Sequence, residues 1–103
     1  MSADFTLETV GHGRFAARGS IDAANAAQAL AEGRRQLLAV EPVSVDLAAL
    51  ESADGMTLAV LVAWSSHAAR AGRTLRFTNI GERLRAVAHL YAVEPFLVAG
   101  IGD

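Results

Sequence analysis

The stretch LESADGMTLAVLVAWSSHAARAG, residues 50–72, decides how this chain folds. A turn built from Ser52, Asp54 and Gly55 opens into a segment that is apolar on nearly every side. Asp54 is a residue type that caps helix starts. Gly72, with Arg70 in the preceding turn, is a combination that ends helices. The stretch therefore predicts a helix over 56–71. Along it, Leu58, Leu61, Val62 and Ala69, with Ser65 among them, form one stripe. Thr57, Val60, Trp64 and His67 form a second stripe by their i, i+3, i+4 spacing. The first stripe is assigned to a β-sheet. A helix apolar on two sides is either wholly buried or shared with another chain, and a small three-helix domain seldom encloses a helix completely. The second stripe is therefore assigned to a partner.

Outward from this helix the pattern alternates between strand and helix. Upstream, VSVDLAAL (43–50) carries Val43, Val45 and Leu47 at period two. Downstream, RTLRFTNI (73–80) sets Leu75 and Phe77 against Arg76 and Thr78. Before Pro42, an alanine-rich segment predicts a helix over 23–39, with Ser20 or Asp22 as its cap. Its thin stripe is Ala23, Ala27, Leu30, Leu37 and Leu38, and Gly33 weakens its middle. At the N-terminus, DFTLETV and RFAARG alternate on either side of GHG, which predicts a β-hairpin over 4–19 with His12 at its tip. After the last strand, Asn79 and Glu82 stand three apart in a capping-box arrangement. They open a third helix with an inward stripe of Leu84, Val87, Ala88 and Tyr91. A tail follows, with a short edge strand at 96–98.

A strand, a helix and a further strand pair in parallel through a crossover of this length. The expected fold is α/β: a mixed sheet of four to five strands, an N-terminal hairpin followed by βαβα, packed with three main helices. The whole chain, 1–103, is read as a single domain, in keeping with its length.

Composition narrows the function. Apolar residues make up 52 % and charged ones 19 %, a globular balance with a slight apolar excess. The excess points to surface covered by a partner. A net charge of −2 gives no general attraction to nucleic acid or an anionic membrane. The absence of cysteine excludes disulfides and thiolate metal sites. The longest strongly apolar run, 58–64, is too short to span a bilayer. The first ten residues carry acids and alternate, unlike a secretion signal.

Catalytic readings find little to build on. His12, His67 and His89 fall on a loop and two different helices, without metal-ligand spacing. Ser66 and His67 are helix neighbours and do not face each other. No phosphate-loop pattern occurs. Arg73, Arg76, Arg83 and Arg85 gather toward one end but have no aromatic platform for bases. The chain is expected to be no enzyme and to need no metal or cofactor.

VDLAALESADGMTLAVL (45–61) resembles the central signature of STAS domains: a strand ending in Asp-Leu, a short loop, an Asp, small or hydroxyl residues, then an apolar helix. ARGSID (17–22) is similar to the family's approach to its first helix. AGRTLRFTNIGERLRAVAHLYAVEPFL (71–97) is similar to its C-terminal third, with the His-Leu-Tyr ending of the MlaB-like branch. The resemblance covers nearly the whole chain. It implies a cytoplasmic subunit of a phospholipid-transporting ABC complex, peripheral to the inner membrane through its partner. Such a subunit would bind the ATPase and stabilise it in assembled form, in the service of outer-membrane lipid asymmetry.

The partner-binding residues expected on that basis are Asp54, Gly55, Met56, Thr57, Val60 and Trp64. Trp64 is either an interface anchor or a filler of the domain's own core edge. Gly55 either admits another backbone or is an ordinary turn glycine. The helix N-terminus either receives an anionic group from a partner or is satisfied by Asp54 or Thr57. The same family includes antagonists of anti-sigma factors, regulated by a partner kinase, and these form the alternative reading. In those members a Ser or Thr lies one or two places after the signature Asp, where this chain has Gly55 and Met56. The remaining phosphoacceptor candidates are Thr57 and Ser52. Self-association of the isolated chain is compatible with either reading.

Overall fold

The computed structural model describes residues 4–91. Its elements are β1 (Phe5–Gly11), β2 (Arg14–Gly19), α1 (Ala26–Leu37), β3 (Val43–Asp46), α2 (Gly55–Arg70), β4 (Leu75–Thr78) and α3 (Glu82–Leu90). The four strands form one mixed sheet in the order β1-β2-β3-β4. The β1–β2 hairpin is antiparallel, and β2–β3 and β3–β4 are parallel. This is the expected STAS-like α/β arrangement with three helices. The strand expected at 96–98 lies outside the described residues. Successive right-handed crossovers that step the same way across a sheet put their helices on the same face, which places α1 and α2 together.

The strand alternation sorts the sheet as the sequence requires. Phe15, Val45 and Phe77 are cross-strand neighbours in one row, and Val43 and Leu75 in another, all buried. Leu7 faces Ala17 in the hairpin, both buried. The intervening residues Arg14, Ser44 and Arg76 share a row on the opposite face, where both arginines are exposed. His12 sits exposed at the hairpin tip. Arg73 precedes β4 and Arg76 lies within it, whereas Arg83 and Arg85 lie beyond its far end on α3, so the four do not share one end.

α1 begins at Ala26, three residues later than its composition suggests. Residues 22–25 are held in a turn by reciprocal bonds. The Asp22 N–H donates to Asn25 Oδ1, and the Ala24 and Asn25 N–H groups donate to Asp22 Oδ1. Neither Ser20 nor Asp22 is the N-cap; that position is Asn25. The buried stripe is Ala29, Gly33 and Leu37, while Ala23 and Ala27 face outward. Gly33 is there for a packing reason. A Cβ at this position would overlap the Trp64 indole, so the absent side chain is the slot that admits the ring. The indole Nε1–H donates to the Ala29 carbonyl at 3.2 Å, and Phe5 lies against the ring at 6.1 Å between centroids.

α2 ends as its sequence indicates. Gly72 takes a left-handed φ of 69°, its N–H donates to the Ala69 carbonyl, and the Arg73 N–H donates to the Ala68 carbonyl, closing a Schellman motif. α3 starts differently from expectation. Its N-cap is Gly81, with no side-chain cap bond, so the Asn79–Glu82 capping box does not form. Asn79 is in the left-handed region at φ 56° and donates from Nδ2 to Asp46 Oδ1 instead. The inward stripe of α3 is Leu84 and Ala88, with Val87 half-buried and Tyr91 exposed.

Candidate functional site

The loop between β3 and α2 is fixed from both sides before it reaches the helix. The Gly19 N–H donates to the Ala49 carbonyl at 3.1 Å, and the Glu51 N–H donates to the Gly19 carbonyl at 2.7 Å. These bonds tie the loop to the end of β2. Asp46 anchors its start by accepting from the Ala48 N–H at 2.8 Å and from Asn79 at 3.0 Å. The Asn79 amide, then the Ala48 N–H, hold the Asp46 carboxyl below its ordinary range, because both bonds favour the charged form.

The start of α2 is closed by a polar chain. The Ile21 N–H donates to Ser52 Oγ at 2.9 Å. Ser52 Oγ and Thr57 Oγ1 lie 2.6 Å apart, and Thr57 Oγ1 lies 2.8 Å from Asp54 Oδ1. An ionised carboxylate only accepts, and a hydroxyl has one proton, so the order is Ile21 N–H to Ser52, Ser52 to Thr57, and Thr57 to Asp54. Bonds in such a chain polarise one another. Asp54 also accepts from the Thr57 N–H at 2.9 Å, which makes it the N-cap of α2. The Thr57 N–H and then the Thr57 hydroxyl hold the Asp54 carboxyl below its ordinary range. One of the free donors at this helix start, the Thr57 N–H, is thus answered from within the chain.

This arrangement corrects half of the expected contact set. Thr57, Val60 and Trp64 are 0 %, 1 % and 2 % exposed and belong to the core. The stripe assigned to a partner instead faces α1 and the sheet: Trp64 fills the slot at Gly33, and Thr57 is locked between Ser52 and Asp54. Thr57 therefore presents no accessible hydroxyl to a kinase. Ser52 is half-buried and already engaged on both sides. Asp54, Gly55 and Met56 are exposed. The space beside Gly55 is taken by Tyr91, whose Oη would lie 3.5 Å from a Cβ built there.

α2 does have an open apolar side, rotated from the expected one. Gly55, Leu58, Ala59, Val62, Ala63 and Tyr91 line an open trough of about 590 Å³. Met56 and Tyr91, at its N-terminal end, are 40 % and 59 % exposed. Leu58 is buried and also lines the trough, whereas Val62 is half-buried and Ala69 exposed, although both were assigned to the sheet. The sequence pointed only weakly to this surface. Gly55, Ala59 and Ala63, at i, i+4 and i+8, are small and lie outside both large-residue stripes. A second hollow of about 170 Å³ lies where β3 and β4 end, among Leu50, Glu51, Asn79 and Arg83. Its Asn79 is committed to Asp46.

Among the described residues, no group of three or more His, Cys, Asp or Glu side chains is placed to hold a metal ion. No helix among them is long and apolar enough to cross a membrane.

The layered α/β fold and the trough on α2 define a small module with a helix-borne apolar surface. Residues 6–99 match the family described as "Mlab, STAS domain", and the chain belongs to this STAS family, in its MlaB-like branch. No curated protein matches the chain. STAS membership carries a general protein-interaction role.

Proposed function

We propose that the protein is a non-catalytic interaction subunit that docks on the ATPase of a phospholipid-transporting ABC complex and stabilises it in assembled form. The partner hydrolyses ATP and carries the transport chemistry. This chain supplies a folded surface and is held at the inner membrane, on the cytoplasmic side, through the complex. The family match supports the class of partner. The observation that carries the reading is the open apolar trough on α2, rimmed by exposed Met56 and Tyr91. Large exposed apolar residues around a concave apolar strip are what a docking surface requires. The contact set is thus Asp54, Gly55 and Met56, joined by Ala59, Val62, Ala63 and Tyr91.

The test is co-expression with the ATPase and permease of a phospholipid-transporting ABC complex from the same organism, followed by affinity capture of the ATPase. Ala59→Arg places a charge in the middle of the trough and should abolish capture while the circular dichroism spectrum stays unchanged. Capture that survives both Ala59→Arg and Met56→Glu would overturn the reading. Mass spectrometry of the chain isolated from cells serves the kinase-regulated alternative. Stoichiometric phosphate on Ser52, with loss of partner binding on Ser52→Ala, would replace the transporter reading.

A further inference from the structure

The two ends of the sheet carry opposite charge. β2, β3 and β4 run parallel, so their starts lie at one end of the domain and their finishes at the other. At the starting end, segments 11–14, 34–43 and 70–76 contain six arginines, Arg14, Arg34, Arg35, Arg70, Arg73 and Arg76, against a single acid, Glu41. At the finishing end, segments 19–25, 46–54 and 78–82 contain five acids, Asp22, Asp46, Glu51, Asp54 and Glu82, and no basic residue. The net charge of −2 averages over this division.

All six arginines are exposed. Arg35 is held by Glu32 at 2.6 Å, and the other five have no ion-pair partner among the described residues. Arg34, Arg35 and Arg70 complement the negative ends of α1 and α2. Arg14, Arg73 and Arg76 lie on no helix and have no such reason. Arg14 and Arg76 flank Ser44 in one row on the sheet face away from the core, about 10 Å apart across two strand spacings. The arginine end thus spans both layers of the fold. None of its arginines lines the trough or the second hollow.

We propose that the arginine end rests directly on an anionic membrane surface, at the level of the lipid phosphates. The inference stands apart from the transporter reading, because these residues take no part in the trough. Guanidinium groups bind phosphate oxygens in pairs, and each basic side chain near an anionic leaflet adds to the attraction. Arginines spread over a whole end, outside any hollow, fit an extended plane of charge. No aromatic residue stands in the three arginine-bearing segments, so bases of a nucleic acid would find no platform there. The carboxylates at the other end are repelled by the same surface. The domain therefore stands with its strands upright, and the exposed Asp54–Met56 corner faces away from the lipid.

The experiment uses the full chain and vesicles of equal parts phosphatidylglycerol and phosphatidylcholine. At low salt the chain should sediment with them and ignore vesicles of phosphatidylcholine alone. It should be released as added salt shortens the screening length from about 30 Å to about 3 Å. Arg14→Gln, Arg73→Gln and Arg76→Gln should each weaken the partition about fivefold. Arg85→Gln, in the first turn of α3 near the acidic end, should leave it unchanged. The chain contains no cysteine, so one environment-sensitive dye can be placed at either end. A dye on His12→Cys should respond to the anionic vesicles and a dye on Ala48→Cys should not, both positions being exposed. A chain that binds no vesicles, or binds neutral and anionic ones alike, overturns the proposal. So does a partition that Arg85→Gln weakens as much as Arg76→Gln, or a dye response at position 48. Retention on duplex RNA without vesicle binding makes a nucleic acid the occupant and overturns it as well.

Discussion

The two sides of α2 are built from the same small stock of apolar residues, and they meet different surroundings. The inner side carries Thr57, Val60, Leu61, Trp64 and Ala68, all buried. The outer side carries Gly55, Ala59, Val62 and Ala63, around an open trough. The inner side has shape partners. Trp64 has a glycine opposite it and a carbonyl for its N–H, and Thr57 has an oxygen on either hand. The outer side has small residues with little shape of their own. Apolarity alone therefore does not assign a helix face. The assignment comes from what the neighbouring elements leave room for.

The largest expected effect tests the inner side. Trp64→Ala removes the biggest fully enclosed side chain and leaves the slot at Gly33 empty. It should lower the unfolding free energy by about 3–5 kcal/mol, read from the urea midpoint. A loss within the range of surface substitutions would mean that the indole is not in the core. Gly33→Ala comes next and carries an informative sign. In an exposed helix interior, alanine is favoured over glycine by about 1 kcal/mol. Here the new methyl collides with the indole, and overpacking of this kind costs about 1–3 kcal/mol. Net destabilisation supports the Gly33–Trp64 fit, whereas stabilisation would break it.

Thr57→Val keeps shape and burial and removes one hydroxyl. Ser52 loses its acceptor, and Asp54 loses one of its two bonds from Thr57. A buried partner left unsatisfied costs about 1–3 kcal/mol. The same substitution should flatten the acid response. Asp54 and Asp46 titrate below the ordinary aspartate range in the folded protein, so the folded state takes up their protons less readily than the unfolded chain. Their contribution is complete above that range and is lost as pH falls below about 5 toward the depressed folded values. Urea midpoints measured between neutral and acid pH should fall less steeply for Thr57→Val than for the parent, because the hydroxyl no longer helps depress Asp54. Parallel curves would count against the role given to Thr57.

How much of this was legible beforehand varies by element. The strands were, because Val43, Val45, Leu75 and Phe77 sit at a period of two that only a half-buried sheet explains. The end of α2 was, because Gly72 and Arg70 carry their own local signal. Asp54 as a cap was readable for the same reason. The partner side of α2 was not. Helical spacing gives the angle between Val60 and Trp64 but not which way that angle points once α1 is in place. Gly33 read as a weakness because its reason lies 31 positions away in Trp64, and the Ala29 carbonyl that receives the indole proton is 35 positions from that ring. Asn79 and Glu82 matched a capping box, yet Asp46 competes for the Asn79 amide across the sheet, and the long-range bond prevails. Local signals survived where no distant group offered an alternative.

The smallest expected effect on stability is also the sharpest test of the outer side. Ala59 is exposed at the centre of the trough, so Ala59→Arg buries no charge in the isolated chain, and arginine forms helices nearly as well as alanine. The unfolding free energy should move by less than about 0.5 kcal/mol, as surface substitutions do. At Val60, one residue further along and 1 % exposed, arginine should prevent folding, because a charge enclosed without a partner is not tolerated. The contrast between positions 59 and 60 is therefore nearly all-or-none in thermal melts and needs no knowledge of any partner. If Ala59→Arg also unfolds the chain, the trough is closed in solution and α2 has no free side. If both variants fold, the inner side is not core, and the correction made for Val60 and Trp64 must itself be reversed.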